Sequence, residues 1–183
     1  MGPGANPRWK EASASMPRQW TGLALTLTVV ALDRATKLWV GANIQDFGSL
    51  EIIPGFLNLV HSENRGMAFG IGNDGATWYT RLILIGLSVA VLGALAYGVW
   101  NGKRAATAAK AAEAWALFLV AGGAIGNLYD RVVRGSVTDF LDVFVGTYHW
   151  PTFNVADCAI TVGALILIGA ALIGEKKGKL SPA

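Results

Sequence analysis

The chain has 183 residues, of which 53% are hydrophobic and only 15% charged, with a mean hydropathy of +0.44. That balance excludes an ordinary soluble domain and points to a multi-span membrane protein, with room for four helices of roughly 20 apolar residues and two modest loops. The net charge of +3 does not point to nucleic acid, because no basic run is interleaved with aromatics, and the single cysteine, Cys158, excludes an intrachain disulfide framework.

Residues 1–19 are polar, rich in Gly, Pro, Ala and Ser, and free of apolar periodicity, so they read as a disordered N-terminal tail within which Met16 offers an alternative start. A first span is expected over about 20–41. Its apolar run continues through DRATK (33–37) instead of ending at a small-residue cleavage site, which argues for a retained helix over a secretory signal. Asp33 and Lys37 are four apart, acid first, the favourable order for an ion pair on one helix face. Mutual neutralisation is the least costly way to keep both in a membrane, so the pair reads as structural.

The following loop, 42–79, has short β-prone runs separated by Pro54-Gly55 and by Asn73-Asp74-Gly75, both turn formers. A small antiparallel sheet is expected there, its apolar Ile52, Ile53, Phe56, Leu57 and Phe69 suited to cradling a peptide by edge pairing. A second span is expected over about 80–100, a third over about 112–130 and a fourth over about 154–174, with a second loop at 131–153 and a basic tail at 176–183. The whole of 20–175 reads as one four-helix membrane domain. Gly122 and Gly126 have the four-residue spacing that lets membrane helices approach closely; glycine is also simply common in such helices, and spacing does not choose between the two.

Orientation follows from Lys and Arg near the span ends. Arg8, Lys10, Arg18, Lys103, Arg104, Lys110, Lys176, Lys177 and Lys179 fall on one side, nine of the 15 basic residues. The expectation is cytoplasmic N- and C-termini and outward-facing loops 42–79 and 131–153. Trp20, Trp100 and Trp115 would then mark one interface, and Trp39, Trp78 and Trp150 the other, as aromatic belts do.

The chemistry concentrates in residues 122–157, which hold Asp130, Asp139, Asp142 and Asp157, four of the 12 acidic residues. A carboxylate at a membrane edge costs several kcal/mol unless it is paired, hydrated or used. Asp139 and Asp157 are the candidate pair: two carboxyls within a few ångströms do not both ionise easily, so one serves as base and the other as acid. That division suits direct hydrolysis of an amide by water. Asp157 has an equally good reading as a capping residue, since Asn154-Val-Ala-Asp157 resembles a capping box and the helix dipole favours an anion there; the two roles are compatible. Asp139 also reads as a solvated loop acid, and Asp142 fits that reading better. Asp130-Arg131 is either a local ion pair or a site-shaping pair. Asn64 and Asn127 are amides that bond either a peptide backbone or their own loops.

Two rivals follow from the same residues: a small proton- or cation-transporting subunit that uses the acids as a path, and a thiol enzyme in which Cys158 works with His61 or His149. The clustering of the acids at one face disfavours the first, and a cysteine opening an apolar span is more often a small hydrophobe. Two scattered histidines without an HExxH motif leave no metal site to expect.

The blocks DRATK (33–37), ENRGMAFG (63–70), GGAIGNLYDR (122–131), VTDFLD (137–142) and HWPTFNVAD (149–157), in this order on four spans, resemble those of bacterial lipoprotein signal peptidase, also called signal peptidase II. The resemblance covers about 16–174. It implies an aspartic endopeptidase of the bacterial cytoplasmic (inner) membrane that cuts prolipoproteins before a diacylglyceryl-modified cysteine, needs no cofactor and is blocked by globomycin. On this sequence the catalytic pair falls on Asp139 and Asp157. Asn64, Asn127, Asp130, Arg131 and Asn154 fall on positions that line the site or position substrate, and Asp33 and Lys37 on the first-span motif.

Overall fold

The computed structural model describes residues 18–46, 48–66, 78–101 and 108–179. The polar tail up to residue 17, Phe69 and the Asn73-Asp74-Gly75 turn lie outside them. Four long helices, α1 (Arg18–Asn43), α2 (Trp78–Asn101), α3 (Ala108–Val133) and α4 (Val155–Lys179), enclose two connections that build strands β1 (Ser49–Ile53), β2 (Leu57–Asn64), β3 (Val137–Val145) and β4 (Tyr148–His149).

Among the described residues, three helices are long and apolar enough to cross a membrane, over Trp78–Tyr97, Ala112–Val133 and Val155–Ile173. Sequence reading expects four, and the difference is α1. Its 26 residues have the length, about 39 Å at 1.5 Å per residue, but Asp33, Arg34 and Lys37 lower its apolar content. The fold compensates by burying two of those charges: Asp33 and Lys37 are each 1% exposed. The outward face of α2, by contrast, bares Leu82, Ile83, Leu87 and Val89, as a helix in lipid does.

Helix α3 is the hub on which α1, α2 and α4 all pack. Small residues make this possible. A Cβ on Gly122 would meet Val29 of α1 at 2.8 Å, and one on Gly126 would meet Asp33 Oδ2 at 2.6 Å, so the four-residue spacing serves close approach. Gly123, on another face, abuts the Ala156 backbone of α4, and Gly163 of α4 abuts the Ala116 carbonyl in return. The C-terminus of α3 closes on Gly135 (φ +84), with the Arg134 and Gly135 amides both donating to the Asp130 carbonyl. Arg81 of α2 adds donors to the Arg131 and Val132 carbonyls at 2.7 and 2.8 Å, a cation placed at the negative end of a helix dipole.

The strands form one antiparallel sheet in the order β1-β2-β3-β4. Pro54-Gly55 makes the expected turn, with the Phe56 amide donating to the Ile53 carbonyl and Gly55 at φ +72, the proline-glycine pattern of a type II turn. Leu50, Ile52, Ile53 and Phe56 are about half exposed on and beside edge strand β1. The sheet extends beyond its sequence expectation, because VTDFLD of the second connection forms the inner strand β3. Asp139 and Asp142 are therefore 3% and 6% exposed, and the solvated-loop reading fails for both. Val40 and Ile44 of α1 pack on Phe140 of β3, with Leu59, Leu141 and Val155 around them, fixing the sheet against the helix ends.

Candidate active site

The C-terminal ends of α1 and α3 and the N-terminal ends of α2 and α4 meet beside the sheet. Residue 153 pairs with Leu141 of β3 through the Phe153 amide and carbonyl, which lays the segment leading into α4 across the strand that carries Asp139. The residue that follows, Asn154, is the N-cap of α4. Its side-chain oxygen accepts from the Asp157 amide at 3.0 Å, while Asp157 Oδ2 accepts from the Asn154 amide at 3.2 Å, a reciprocal capping pair.

Asn154 is fully buried and joins the two acids. Its Nδ2 donates to Asp139 Oδ1 at 2.7 Å, and its backbone amide holds Asp157. Asn64, at the end of β2, donates to Asp139 Oδ2 at 3.0 Å, and Asn127 of α3 donates to Asp157 Oδ1 at 2.8 Å. Each carboxylate thus has both oxygens bonded by N–H donors. Asn64 and Asn127 spend these amides on the carboxylates, a role that sequence reading did not distinguish from loop or substrate contacts.

The two aspartates differ in setting. Asp139 lies on a strand under covering chain, and burial pushes its carboxyl up to about 7, opposed by the Asn64 and Asn154 hydrogen bonds and by the Lys37 charge and assisted by repulsion from Asp157. Asp157 sits in the first turn of α4, where the positive end of the helix dipole favours an anion.

Both open into one cavity of about 750 Å³. Its walls are Leu84, Leu87 and Val91 of α2 and Val120 of α3 on one side, and Ile160 and Val162 of α4 on the other, with Trp150 and Phe153 at its edge and Arg131 beside the acids. The polar end is small and the remainder is an apolar groove between α2 and α4.

Behind the acids lies a buried ionic cluster. Lys37 Nζ is 2.8 Å from both Asp33 Oδ2 and Asp130 Oδ2 and donates to Asn127 Oδ1 at 3.1 Å. Arg34 pairs with Asp130 Oδ1 at 3.0 Å and lies over the Tyr129 ring. Asp130 therefore pairs with α1, and the local Asp130-Arg131 ion pair read from the sequence is replaced by this interhelical one. Arg131 instead lines the cavity and reaches the Asn127 carbonyl at 3.5 Å.

The family model for Signal peptidase (SPase) II matches residues 25–173. The chain belongs to the signal peptidase II family. Relatives named lipoprotein signal peptidase include one from Solibacter usitatus (strain Ellin6076), 44% identical over 150 residues that cover 82% of this chain and 89% of that one. Another, from Sulfurihydrogenibium sp. (strain YO3AOP1), is 38% identical over 86% of this chain and 94% of that one. A bacterial membrane enzyme solved by the in meso method at 2.3 Å resolution superposes with a TM-score of 0.77 at 29% identity, covering 90% of this chain and 94% of its own.

In this member of the signal peptidase II family, the nine residues that the family resemblance marks, Asp33, Lys37, Asn64, Asn127, Asp130, Arg131, Asp139, Asn154 and Asp157, fall in one connected region. The partners of Asp142, and the polar group around Glu63, are not evident in the sequence reading. Asp142 is tied down by Asn58 at 3.2 Å and His149 at 2.8 Å, and Glu63 binds Ser136 and Thr138. The signal for the second was present: Glu63 alternates with Asn64 along β2 as Thr138 does with Asp139 along β3, and strands that pair bring such polar residues together.

Proposed function

We propose that this protein is an aspartic endopeptidase of the bacterial inner membrane that removes the signal peptide from diacylglyceryl-modified prolipoproteins, cutting before the lipidated cysteine. The observation that carries the reading is the meeting of Asp139 and Asp157 on one cavity through their common partner Asn154, one acid buried on a strand and the other at a helix N-terminus. In the reaction, Asp157 is the charged member: both its oxygens accept N–H groups and the α4 dipole lies behind it. It takes a proton from water as the oxygen attacks the scissile carbonyl, while Asp139 gives its proton to the carbonyl oxygen. Collapse of the tetrahedral diol returns that proton to Asp139, and Asp157 delivers its own to the leaving amine, so both acids end as they began. Arg131 supplies positive charge beside the pair.

The apolar groove suits the rest of the substrate. Each buried methylene of an acyl chain contributes about 0.8 kcal/mol in an apolar setting, and Leu84, Leu87, Val91, Ile160 and Val162 offer such a wall between α2 and α4. A diacylglyceryl substrate therefore enters laterally from lipid. With α1 as a fourth span, its charges neutralised inward, both termini are cytoplasmic and the sheet and acids stand at the outer leaflet. Globomycin-type inhibitors would occupy the same cavity. The transporter alternative has no support among the relatives.

The deciding experiment is cleavage of a diacylglyceryl-modified prolipoprotein in detergent, with and without globomycin. Asp139→Asn and Asp157→Asn are each expected to lower the rate at least about a thousandfold, the scale of losing an acid or base that works in concert with its partner. Retention of wild-type cleavage by either variant would exclude the dyad.

A further inference from the structure

Beside the two aspartates, the sheet carries a second polar cluster that the proposed reaction leaves unused. Glu63 of β2 stands opposite Thr138 of β3, one residue from Asn64 on its own strand and one from Asp139 on the other. Its Oε1 accepts from the Thr138 hydroxyl at 2.9 Å and lies 3.5 Å from Arg134 Nη2 and 3.3 Å from His61 Nε2; its Oε2 accepts from the Ser136 hydroxyl. Thr138 is fully buried and Ser136 is 9% exposed. Arg134 donates to Thr138 Oγ1 as well, at 3.2 Å, and Asp46 faces His61 from the α1–β1 connection.

This cluster sits just beyond an irregularity in the β2–β3 register. The β2–β3 ladder is irregular between Leu59 and Ser62, immediately before the residues that meet Asp139. Beyond it the pairing rests on three pairs at the end of β2, Ser62 with Asp139, Glu63 with Thr138 and Asn64 with Val137, so Asn64 meets Asp139 on the diagonal, a contact that side chains as well as backbone hold. The Glu63 carboxylate spans the two strands at that point with two hydroxyl hydrogen bonds, which hold it in its charged form and draw its pKa below the ordinary carboxylate value despite partial burial. Groups that share a network in this way transmit a loss at one member to the next.

Resting on the function proposed above, we propose that Glu63 is a positioning residue: by tying Ser136 and Thr138 to β2 it holds Asn64 against Asp139 and so sets the protonation of Asp139 during turnover. The groups that act on Asp139 are Asn64, Asn154, Asp157 and Lys37, with the Arg131 guanidinium of α3 beside them on the same cavity. Asn64 favours the charged form, so loosening it moves proton release from Asp139 to higher pH.

The test is the pH dependence of kcat and KM on a diacylglyceryl-modified prolipoprotein in detergent for wild type, Glu63→Ala and Glu63→Gln. For Glu63→Ala, the alkaline limb of kcat should move up by about half a pH unit and kcat should fall about tenfold, with KM changed less than about twofold. Glu63→Gln keeps an oxygen for the Thr138 hydroxyl and an amide N–H for Ser136 while dropping the charge, and should restore both to within about twofold of wild type. An alkaline limb that stays in place in Glu63→Ala while only Tm falls would overturn the inference, as would an equal displacement in Glu63→Gln. If Glu63→Ala fails to fold, Thr138→Val removes a bond of the same cluster with little change of shape and is read in the same way. A wild type that does not cleave at all overturns the proposed function; a wild type with a bell-shaped profile and an unmoved limb in Glu63→Ala overturns only the role of Glu63.

Discussion

Asp139 should make the folded protein less stable as pH rises, and Asp139→Asn should reveal by how much. The carboxyl releases its proton at an ordinary 3.8 in the unfolded chain and at about 7 in the fold. Between those values the folded state binds more protons, so the stability associated with neutral Asp139 is complete below about 4 and is lost as pH rises through about 7. At 1.36 kcal/mol per pH unit, the change from pH 4.5 to pH 7 and above is about 3 kcal/mol. An Asn at 139 is neutral at every pH and escapes it.

The variant has its own cost, because Asn64 and Asn154 both donate to residue 139 and an amide nitrogen there would face one of them, at about 1–3 kcal/mol. Asn does not titrate, so this cost is the same at both pH values and cancels when the two Tm differences are compared. The quantity to measure is the Tm of Asp139→Asn minus that of wild type, at pH 4.5 and at pH 8, followed in detergent by the emission of the seven tryptophans. The difference should grow by roughly 6–12 °C from the lower to the higher pH, taking about 2–4 °C per kcal/mol for a chain of this size. A difference that is the same at both pH values, or larger at pH 4.5, would refute a buried carboxyl of raised pKa.

Three further outcomes are expected. Lys37→Met leaves Asp33 and Asp130 without the ammonium 2.8 Å from each and should lower stability by about 3–5 kcal/mol, read as a lower Tm in the same detergent. Gly126→Val places a side chain 2.6 Å from Asp33 Oδ2 and should prevent α1 from seating on α3, seen as loss of the monodisperse species on gel filtration. Cys158→Ala should retain most of the wild-type cleavage rate, because the cysteine lines the cavity without a hydrogen bond to either aspartate, and a loss greater than about tenfold would reopen the thiol reading.

Some of this was legible in the sequence because the relevant physics is local. Asn154-Val-Ala-Asp157 announced a helix start, and the reciprocal hydrogen bonds of Asn154 and Asp157 are what that pattern makes. Pro54-Gly55 announced a turn, and the charge-free residues 82–100 within the expected second span announced α2. The rest depends on which segments meet. Strand β3 was hidden because VTDFLD carries two acids, which argue for solvent until β2 and the α4 approach cover them. For Asp130, spacing offers a local ion pair or a site-shaping pair with its neighbour Arg131 because it sees one helix, whereas the partners Arg34 and Lys37 come from another.

The ionic cluster of α1 bears on the chemistry more directly than neutralisation in a membrane requires. Asp33 Oδ1 accepts from the Ala156 amide at 3.0 Å, one residue before Asp157, so an acid of the first helix supplies an acceptor to a free N–H at the start of the fourth. Lys37 binds Asn127 Oδ1, which orients that amide so that its Nδ2 points to Asp157 Oδ1. An Asn127 turned the other way would set its oxygen against the carboxylate and its N–H₂ against an ammonium, two repulsions in place of two bonds. The buried cation thus fixes the donor that faces one acid, while Asn154, which also reaches Asn127 Oδ1 at 3.3 Å, bonds both. Charges that lower the apolar content of α1 end as the groups that orient Asn127 and cap α4, which is why α1 carries them where α3 and α4 meet.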